Sequence, residues 1–176
     1  MAEEATVTEK DIAFRIADEI AASGIDLIAS LPDNWIAELI EAVNADTRFT
    51  HVPVNREESA IGLCAGAYFS GSGALALMGA SGLMTCIYAI TKINYTYMVP
   101  LTIFVTMRGR LGDKAKFHVS NGLYLEPVMQ AIDLPYTVIE RRDQLDEIRR
   151  ADAHSRIIAR PVVVGFTRDF LYGETP

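Results

Sequence analysis

Residues 73–78 read Gly-Ala-Leu-Ala-Leu-Met, and residues 100–107 read Pro-Leu-Thr-Ile-Phe-Val-Thr-Met. Both stretches are short and mainly apolar, without the polar alternation of a strand that has one face in water. Continuous apolar runs of this length are typical of strands buried on both faces of a sheet. Four similar runs occupy residues 26–31, 49–54, 136–140 and 161–166.

Helical patterns separate these six runs. In the first of them Ile12, Ile16 and Ile20 recur at a spacing of four residues, and Gly24 ends the pattern. The other helical patterns cover residues 34–46, 56–71, 81–98, 123–134 and 141–155. Strands that alternate with helices predict a doubly wound α/β fold, with a six-stranded parallel sheet sandwiched by helices. We expect one domain over residues 1–176, with its core at about residues 8–170.

The composition limits the possible partners. The 176 residues are 50% hydrophobic and 22% charged, and the formal net charge is −7 without a basic block. This balance argues against nucleic acid and anionic membranes as partners. The acidic start of the chain has no apolar run, so we expect neither a signal peptide nor a membrane anchor, and a cytoplasmic protein. Cys64 and Cys86 both lie in apolar helical patterns, and a disulfide between them is not expected.

Four segments follow predicted strands and should meet at one edge of the sheet. They are residues 31–34, 55–58, 79–83 and 108–121. Ligands of open parallel sheets bind beyond the carboxyl ends of the strands. We therefore expect the functional site to be built from these segments.

The strongest local signal is Asn55-Arg56-Glu57-Glu58, followed by a helix of small and apolar residues. One interpretation is that the two acids only favour the positive end of the helix dipole. The other is a functional carboxylate in dry surroundings, beside a smooth face of Gly62, Gly66 and Ala67 that another subunit could approach.

The spacing after Glu58 resembles the glutamate helix of thiamine-diphosphate enzymes. Ala65 lies seven residues after Glu58 and Tyr68 lies ten residues after it, as in the Ala-Asp-Gly-Tyr group of that family. Gly66 and Ala67 depart from the two central positions of the group. Only Glu58, and not Glu57, keeps both spacings. The resemblance identifies the chain as a pyrimidine-type domain of this family.

Two turns support the same resemblance. Ser81-Gly82-Leu83 is similar to the family's Ser-Gly turn, although a serine here is also an ordinary helix N-cap. The Leu31-Pro32-Asp33-Asn34 segment stands where the family has a Val-Pro-Gly-like turn near the cofactor and substrate. Pro-Asp is also a common turn, and Asp33 can cap the following helix.

The loop after residue 107 points to a subfamily. Its landmarks are Arg108-Gly109, Gly112-Asp113, Phe117-His118, Gly122 and the stretch Ala131–Tyr136. This pattern resembles the α-type chains of sulfopyruvate and phosphonopyruvate decarboxylases. The resemblance makes His118 a candidate catalytic group, whereas a lone histidine in a loop is otherwise a solvated residue. His51 and His154 are expected to be structural or exposed, and the three histidines are too dispersed for a metal site.

The family resemblance implies a division of labour between two chains. The family holds Mg²⁺ and the diphosphate with a Gly-Asp-Gly motif and a later asparagine, but here Lys114 follows Gly112-Asp113 and no asparagine follows Asn121. A β subunit would therefore bind the Mg²⁺-diphosphate, while this chain contributes Glu58, Pro32 and the Ser81-Gly82-Leu83 turn to the pyrimidine of thiamine diphosphate. We expect α chains to self-associate as well.

The implied activity is the decarboxylation of a small anionic 2-oxo acid. The favoured substrate is 3-sulfopyruvate, which gives sulfoacetaldehyde and CO₂ in coenzyme M biosynthesis. Cationic and donor groups suit a sulfonate, and the candidates are Asn34, Arg108, Lys114 and His118. Phosphonopyruvate decarboxylase is the first alternative. A non-catalytic regulatory module is the second, although such a module has no need for an acid at Glu58.

Overall fold

The computed structural model describes residues 8–111 and 113–173. Gly112 of the loop motif and the acidic start of the chain lie outside the described residues. Six strands form the sheet: β1 Leu27–Ser30, β2 Thr50–Pro53, β3 Ala74–Gly79, β4 Leu101–Thr106, β5 Tyr136–Ile139 and β6 Pro161–Phe166. All neighbouring strands run parallel, in the order β2-β1-β3-β4-β6-β5. The predicted fold class is confirmed.

Within the described residues, eight α-helices connect and flank the strands. They are α1 Glu9–Ala22, α2 Ala37–Ala45, α3 Glu57–Phe69, α4 Ala80–Thr85, α5 Ile87–Ala89, α6 Val119–Ala131, α7 Glu147–Ile158 and α8 Arg168–Leu171. Short 3₁₀ turns occupy Asn34–Ile36, Lys116–His118 and Arg142–Gln144, and Ile90–Tyr95 form a π-helix.

The helices cover both faces of the sheet, and side chains of one strand alternate between two cores. On β4, Phe104 belongs to one core, whereas Ile103 and Val105 belong to the other. The first core contains residues of α1, α2, α7 and α8, and the second contains residues of α3, α4 and α6. All six residues of β4 are buried. Burial on both faces explains why the strand is continuously apolar in sequence.

The helix predicted for residues 81–98 is wrong as a single element. The structure divides it into α4, α5 and the π-helix. Thr85 Oγ1 donates to the Gly82 carbonyl over 2.8 Å, and Thr91 Oγ1 donates to the Ile87 carbonyl over 3.0 Å. Asn94 Nδ2 donates to the Val99 carbonyl over 3.0 Å at the end of the segment. Side chains that bond the nearby backbone compete with regular helix bonds, and apolar periodicity does not reveal this competition.

Two other boundaries differ from the prediction. Helix α6 begins at Val119 rather than at residue 123, and α8 was not predicted. At the start of α6, a Cβ on Gly122 would lie 2.0 Å from the Gly109 carbonyl oxygen. Gly122, which lies at the edge of the predicted loop, is thus inside a helix, where the backbone of Gly109 approaches it closely.

Both cysteines are buried and free. Burial raises the pKa of the Cys64 thiol to about 12. None of the helices that the structure describes is long and apolar enough to cross a membrane.

Candidate functional site

A cavity of about 310 Å³ lies at the carboxyl edge of the sheet. The four segments singled out in the sequence meet there. The lining residues are Leu31, Pro32, Asp33, Asn34, Glu57, Gly79, Ala80, Ser81, Gly82, Arg108, Phe117 and His118. The cavity therefore combines two carboxylates, a guanidinium, an imidazole and the backbone at the start of α4 within one small volume.

Asp33 anchors the wall of the cavity that follows β1. One carboxylate oxygen accepts a hydrogen bond from the Trp35 backbone N–H over 2.9 Å, so the predicted cap is present. The same carboxylate also forms an ion pair with Arg108. Gly79 makes room for it, because a Cβ at position 79 would lie 2.6 Å from Asp33 Oδ2.

Arg108 is held on three sides. Its Nε donates to Asp33 Oδ2 over 2.9 Å, and its Nη2 contacts Asp33 Oδ1. The guanidinium stacks over the Trp35 ring, with Cζ 4.4 Å from the ring centroid. The Arg108 and Asp33 side chains are 10% and 13% exposed. Water is thus largely excluded from this bidentate pair, which fixes the guanidinium at the cavity wall.

His118 is buried rather than solvated. Its Nδ1 lies 2.8 Å from Asp113 Oδ2, and its Nε2 lies 2.9 Å from Arg108 Nη1. Its ring contacts the Phe117 ring edge-on at 4.3 Å between centroids. The interpretation of His118 as an ordinary solvated loop residue does not hold.

Asp113 holds the loop that carries His118. Its carboxylate accepts hydrogen bonds from the Gly109 N–H over 2.8 Å and from the Ala115 N–H over 3.0 Å. Burial raises the pKa of Asp113, but these amide bonds and the bond to His118 outweigh burial and lower it below the ordinary value. The carboxylate is therefore the charged form at neutral pH.

The two adjacent glutamates have different surroundings. Glu57 lines the cavity and packs against Gly82, where a Cβ would lie 2.4 Å from Glu57 Cγ. Glu58 instead pairs with Arg56 over 3.0 Å, and its side chain is 31% exposed. The hydrogen bond from Arg56 lowers the pKa of Glu58. The dry surroundings expected for Glu58 are not present in the chain by itself.

The other predicted site residues divide into two groups. Pro32, Asn34, Ser81 and Gly82 line the cavity, and Ser81 Oγ donates to Asn121 Oδ1 over 3.1 Å. Leu83 is fully buried among apolar side chains of the second core, and Lys114 is exposed. Neither residue lines the cavity, because the Leu83 side chain lies in the core and the Lys114 side chain lies in solvent.

The face of α3 that carries Glu58 is smooth. Gly62 and Gly66 are exposed, and a Cβ at either position would meet no atom within 4 Å. Ala67 departs from the expectation, because it is buried. The exposed small residues leave this face of α3 open to close approach by another chain.

A second cavity, of about 460 Å³, also borders the loop, through Arg110, Leu111 and Asp113. Trp35 and Asp113 contribute to both its wall and the surroundings of His118. Arg110 lines this second cavity, and it is paired with Glu126 over 2.7 Å and with Glu140 over 3.0 Å. Arg110 therefore braces α6 and the end of β5.

The remaining histidines serve other purposes. His51 lies 2.8 Å from Ser30 Oγ and 3.2 Å from Asn44 Oδ1, and burial lowers its pKa. His154 is exposed on α7. Within residues 8–111 and 113–173, no group of three or more His, Cys, Asp or Glu side chains is arranged to hold a metal ion.

Sequence reasoning missed the contacts of three residues of the site. Asp33 was predicted as a helix cap within the Leu31–Asn34 turn, and Asp113 as a landmark of the loop, but neither was predicted to contact Arg108 or His118. Trp35, which lies under the guanidinium, gave no signal at all. Asp33 and Arg108 are 75 residues apart in sequence, so their pairing depends on the order of the strands.

The fold and the cavity define an α/β domain that binds a ligand at the carboxyl edge of its sheet. A scan against protein-family models finds no match. The chain is similar to sulfopyruvate decarboxylase subunit alpha of Methanococcus maripaludis, with 31% identity over 152 residues, which are 86% of this chain and 90% of the relative. It is 30% identical to the same subunit of Methanocaldococcus jannaschii over 86% of this chain and 89% of the relative. Phosphonopyruvate decarboxylase of Streptomyces viridochromogenes is 27% identical over 76% of this chain, which is 33% of that protein.

These relatives are named as decarboxylases or as their subunits. The chain belongs to the family of sulfopyruvate decarboxylase α subunits.

Proposed function

We propose that the chain is the α subunit of a thiamine-diphosphate-dependent enzyme that decarboxylates 3-sulfopyruvate to sulfoacetaldehyde. The two sulfopyruvate decarboxylase α subunits are 31% and 30% identical over 86% of this chain, whereas the phosphonopyruvate relative is 27% identical over 76% of it, which supports the sulfonate substrate. One structural observation carries the proposal: the glutamate helix, the two turns and the histidine loop surround a single cavity.

The residues at this edge fit the pyrimidine end of the cofactor. A carboxylate at the start of α3 and the Ser81-Gly82 turn offer hydrogen-bonding groups beside an open helix face. When bound, thiamine diphosphate supplies the electron sink that takes up the charge left as CO₂ departs. In this scheme Glu58 holds a proton at a pyrimidine ring nitrogen.

A partner chain completes the environment of Glu58. The carboxylate is 31% exposed, and Arg56 beside it is 72% exposed. A chain that covers this face would exclude water and strengthen the hydrogen bond from Glu58 to the cofactor. The exposed Gly62 and Gly66 allow such a chain to approach α3 closely.

Arg108 is the proposed partner of the substrate sulfonate. Three of its five N–H groups are used by Asp33 and His118. Among the described residues, the other two N–H groups have no hydrogen-bond acceptor, so we assign them to the substrate anion. Asn34 and His118 line the same cavity and add polar contacts, whereas exposed Lys114 contributes general attraction at most.

The proposal assigns Mg²⁺ and the diphosphate to a β subunit, in an assembly where α chains also contact one another. The purified α chain should then show no decarboxylation of 3-sulfopyruvate with thiamine diphosphate and Mg²⁺, and activity should appear on addition of the β chain. Turnover by the α chain alone would contradict the division between subunits.

The two glutamates provide the test of the cofactor site. Glu58→Gln keeps the side-chain shape but replaces the carboxyl group, so exchange of the cofactor C2 hydrogen for deuterium should slow by about 10²-fold or more in the assembled enzyme. Glu57→Gln is the variant to compare with it, because the neighbouring side chain points about 100° away around the helix and a smaller loss is expected there. Folding and association of both variants are checked by circular dichroism and sedimentation.

Glu57 is the rival carboxylate, since it lines the cavity. A larger loss in Glu57→Gln would move the cofactor contact by one residue and remove the assignment of Glu58. Equal losses would leave neither residue assigned. A substrate panel of 3-sulfopyruvate, phosphonopyruvate and pyruvate separates the sulfonate proposal from the phosphonate alternative by kcat/KM.

A further inference from the structure

A row of four charged or titratable side chains runs along one side of the cavity. Asp113 contacts His118 over 2.8 Å, His118 contacts Arg108 over 2.9 Å, and Arg108 forms the bidentate pair with Asp33. His118 is 7% exposed, and the side chains of Arg108, Asp33 and Asp113 are 10%, 13% and 7% exposed. Such a row in a dry setting constrains where protons lie.

The partners of His118 define its protonation on each nitrogen. An ionised carboxylate only accepts hydrogen bonds, so Nδ1 beside Asp113 must carry a hydrogen. A guanidinium only donates, so Nε2 beside Arg108 must be without one. Among the residues that the structure describes, the aromatic side chains of Trp35 and Phe117 also contact the ring. The geometry is therefore that of a neutral imidazole in its Nδ1–H tautomer.

We infer that Asp113 is a positioning residue that fixes His118 in the Nδ1–H tautomer, so that Nε2 faces the cavity as a proton acceptor under the control of Arg108. This inference rests on the proposed function, which places a reaction in the cavity. His118 then cannot give a proton from Nε2 until it has first taken one up, and it cannot take one up while Arg108 donates to that nitrogen.

Arg108 links this control to an anionic ligand. The Nη1 group that donates to His118 belongs to the same guanidinium that lines the cavity. A sulfonate or phosphonate bound by the two N–H groups that remain would pull the guanidinium toward itself and lengthen its bond to Nε2. Movement of the guanidinium toward the anion would therefore free the histidine to accept a proton when the anion is in place.

Nitrogen NMR on the full α chain tests the tautomer without cofactor or partner. The chain has three histidines, and His118→Gln identifies the signal of His118 in a ¹⁵N-histidine-labelled sample. At neutral pH we expect Nδ1 of His118 to resonate as a protonated nitrogen and Nε2 as a bare one. A protonated Nε2 in the unmodified chain would overturn the inference, whether the ring is the other tautomer or an imidazolium.

Asp113→Asn tests the positioning role. An amide can present N–H to Nδ1, so the Nδ1–H tautomer should lose its dominance, and kcat of the assembled enzyme should fall by about 10²-fold or more with a smaller change in KM. Asp143→Asn is the control, because that carboxylate is 73% exposed and pairs with Arg141. An unchanged His118 spectrum in Asp113→Asn would overturn the role of Asp113.

If Asp113→Asn does not fold, the spectrum of the unmodified chain still decides the tautomer, and Arg108→Gln tests the other end of the row. That variant should shift Nε2 of His118 while Nδ1 stays protonated, and an unchanged Nε2 signal would remove the control by Arg108. These spectra succeed or fail independently of the Glu58 exchange experiment, so failure of the inference is distinguishable from failure of the proposed function.

Discussion

Replacement of Arg108 by lysine keeps the positive charge but removes the planar fork. Arg108 makes two contacts with Asp33, one with His118 and a stack over Trp35, and its side chain is only 10% exposed. An ammonium group can preserve one ion contact to the Asp33 carboxylate. The variant loses the second charge-assisted hydrogen bond, the bond to His118 and most of the stack.

The magnitude follows from these losses. A hydrogen bond to a charged group contributes about 1.5–3 kcal/mol, and a cation–π contact contributes about 0.5–2 kcal/mol. Water reaches the lysine more easily than it reaches the guanidinium and compensates part of the loss. We therefore expect Arg108→Lys to lower the free energy of unfolding by about 2–4 kcal/mol, and to lower Tm by about 6–12 °C for a chain of this size.

Thermal unfolding of the full α chain by circular dichroism, with calorimetry to check two-state behaviour, measures this effect. Arg150→Lys is the matched control, because Arg150 is 69% exposed and pairs with Glu147 one turn away on α7. Exposed pairs of this kind contribute at most about 0.5 kcal/mol. Equal shifts in the two variants would refute the view that the row beside the cavity is a buried, bidentate arrangement.

Three further outcomes are expected. Cys64 is buried and burial raises its pKa to about 12, so iodoacetamide at pH 8 should label it only as fast as the chain opens, and rapid labelling of native protein would contradict its burial. Folding lowers the pKa of Asp113 below 3.8, so its stabilising contribution is complete above that value and is lost as pH falls through the folded pKa. In Asp113→Asn the free energy of unfolding should therefore decrease less than in the unmodified chain when the pH is lowered below about 4. An equal decrease in both proteins would show that folding does not stabilise the ionised carboxylate. Gly79→Ala places a Cβ 2.6 Å from Asp33 Oδ2 and should lower Tm in melts by displacing that carboxylate from Arg108, whereas an unchanged Tm would mean that the carboxylate moves aside without cost.

The fold was predictable because burial on both faces leaves a strong mark on inner strands such as β4 and β6, whereas the edge strands β2 and β5 are only partly buried. The six apolar runs coincide with the six strands within two residues at each end. The segment from residue 81 to residue 98 was mispredicted because its apolar period is helical throughout. Thr85, Thr91 and Asn94 bond to the backbone along this segment, and hydrophobic spacing carries no information on those bonds.

The sequence predicted the edge of the sheet at which the cavity lies, but not the pairing of side chains inside it. The rule that ligands bind beyond the carboxyl ends of parallel strands brought Pro32, Ser81 and His118 to one edge. The sequence could not show that Arg108 would face Asp33, because that pair exists only after β1 and β4 are placed on either side of β3. Nor could it show that Glu57 and Glu58, neighbours in one helical turn, would lie in different surroundings.

Trp35 is the only tryptophan in the chain, and it lies against the guanidinium at the cavity wall. Indole fluorescence therefore reports from one place in the molecule, with no second indole to subtract. The guanidinium reaches the indole only after the sheet has brought together segments more than 70 residues apart, and pairings of such long range form late when a domain folds. The emission of Trp35 should consequently follow the last stage of refolding, and in the folded protein the arrival of an anion at Arg108.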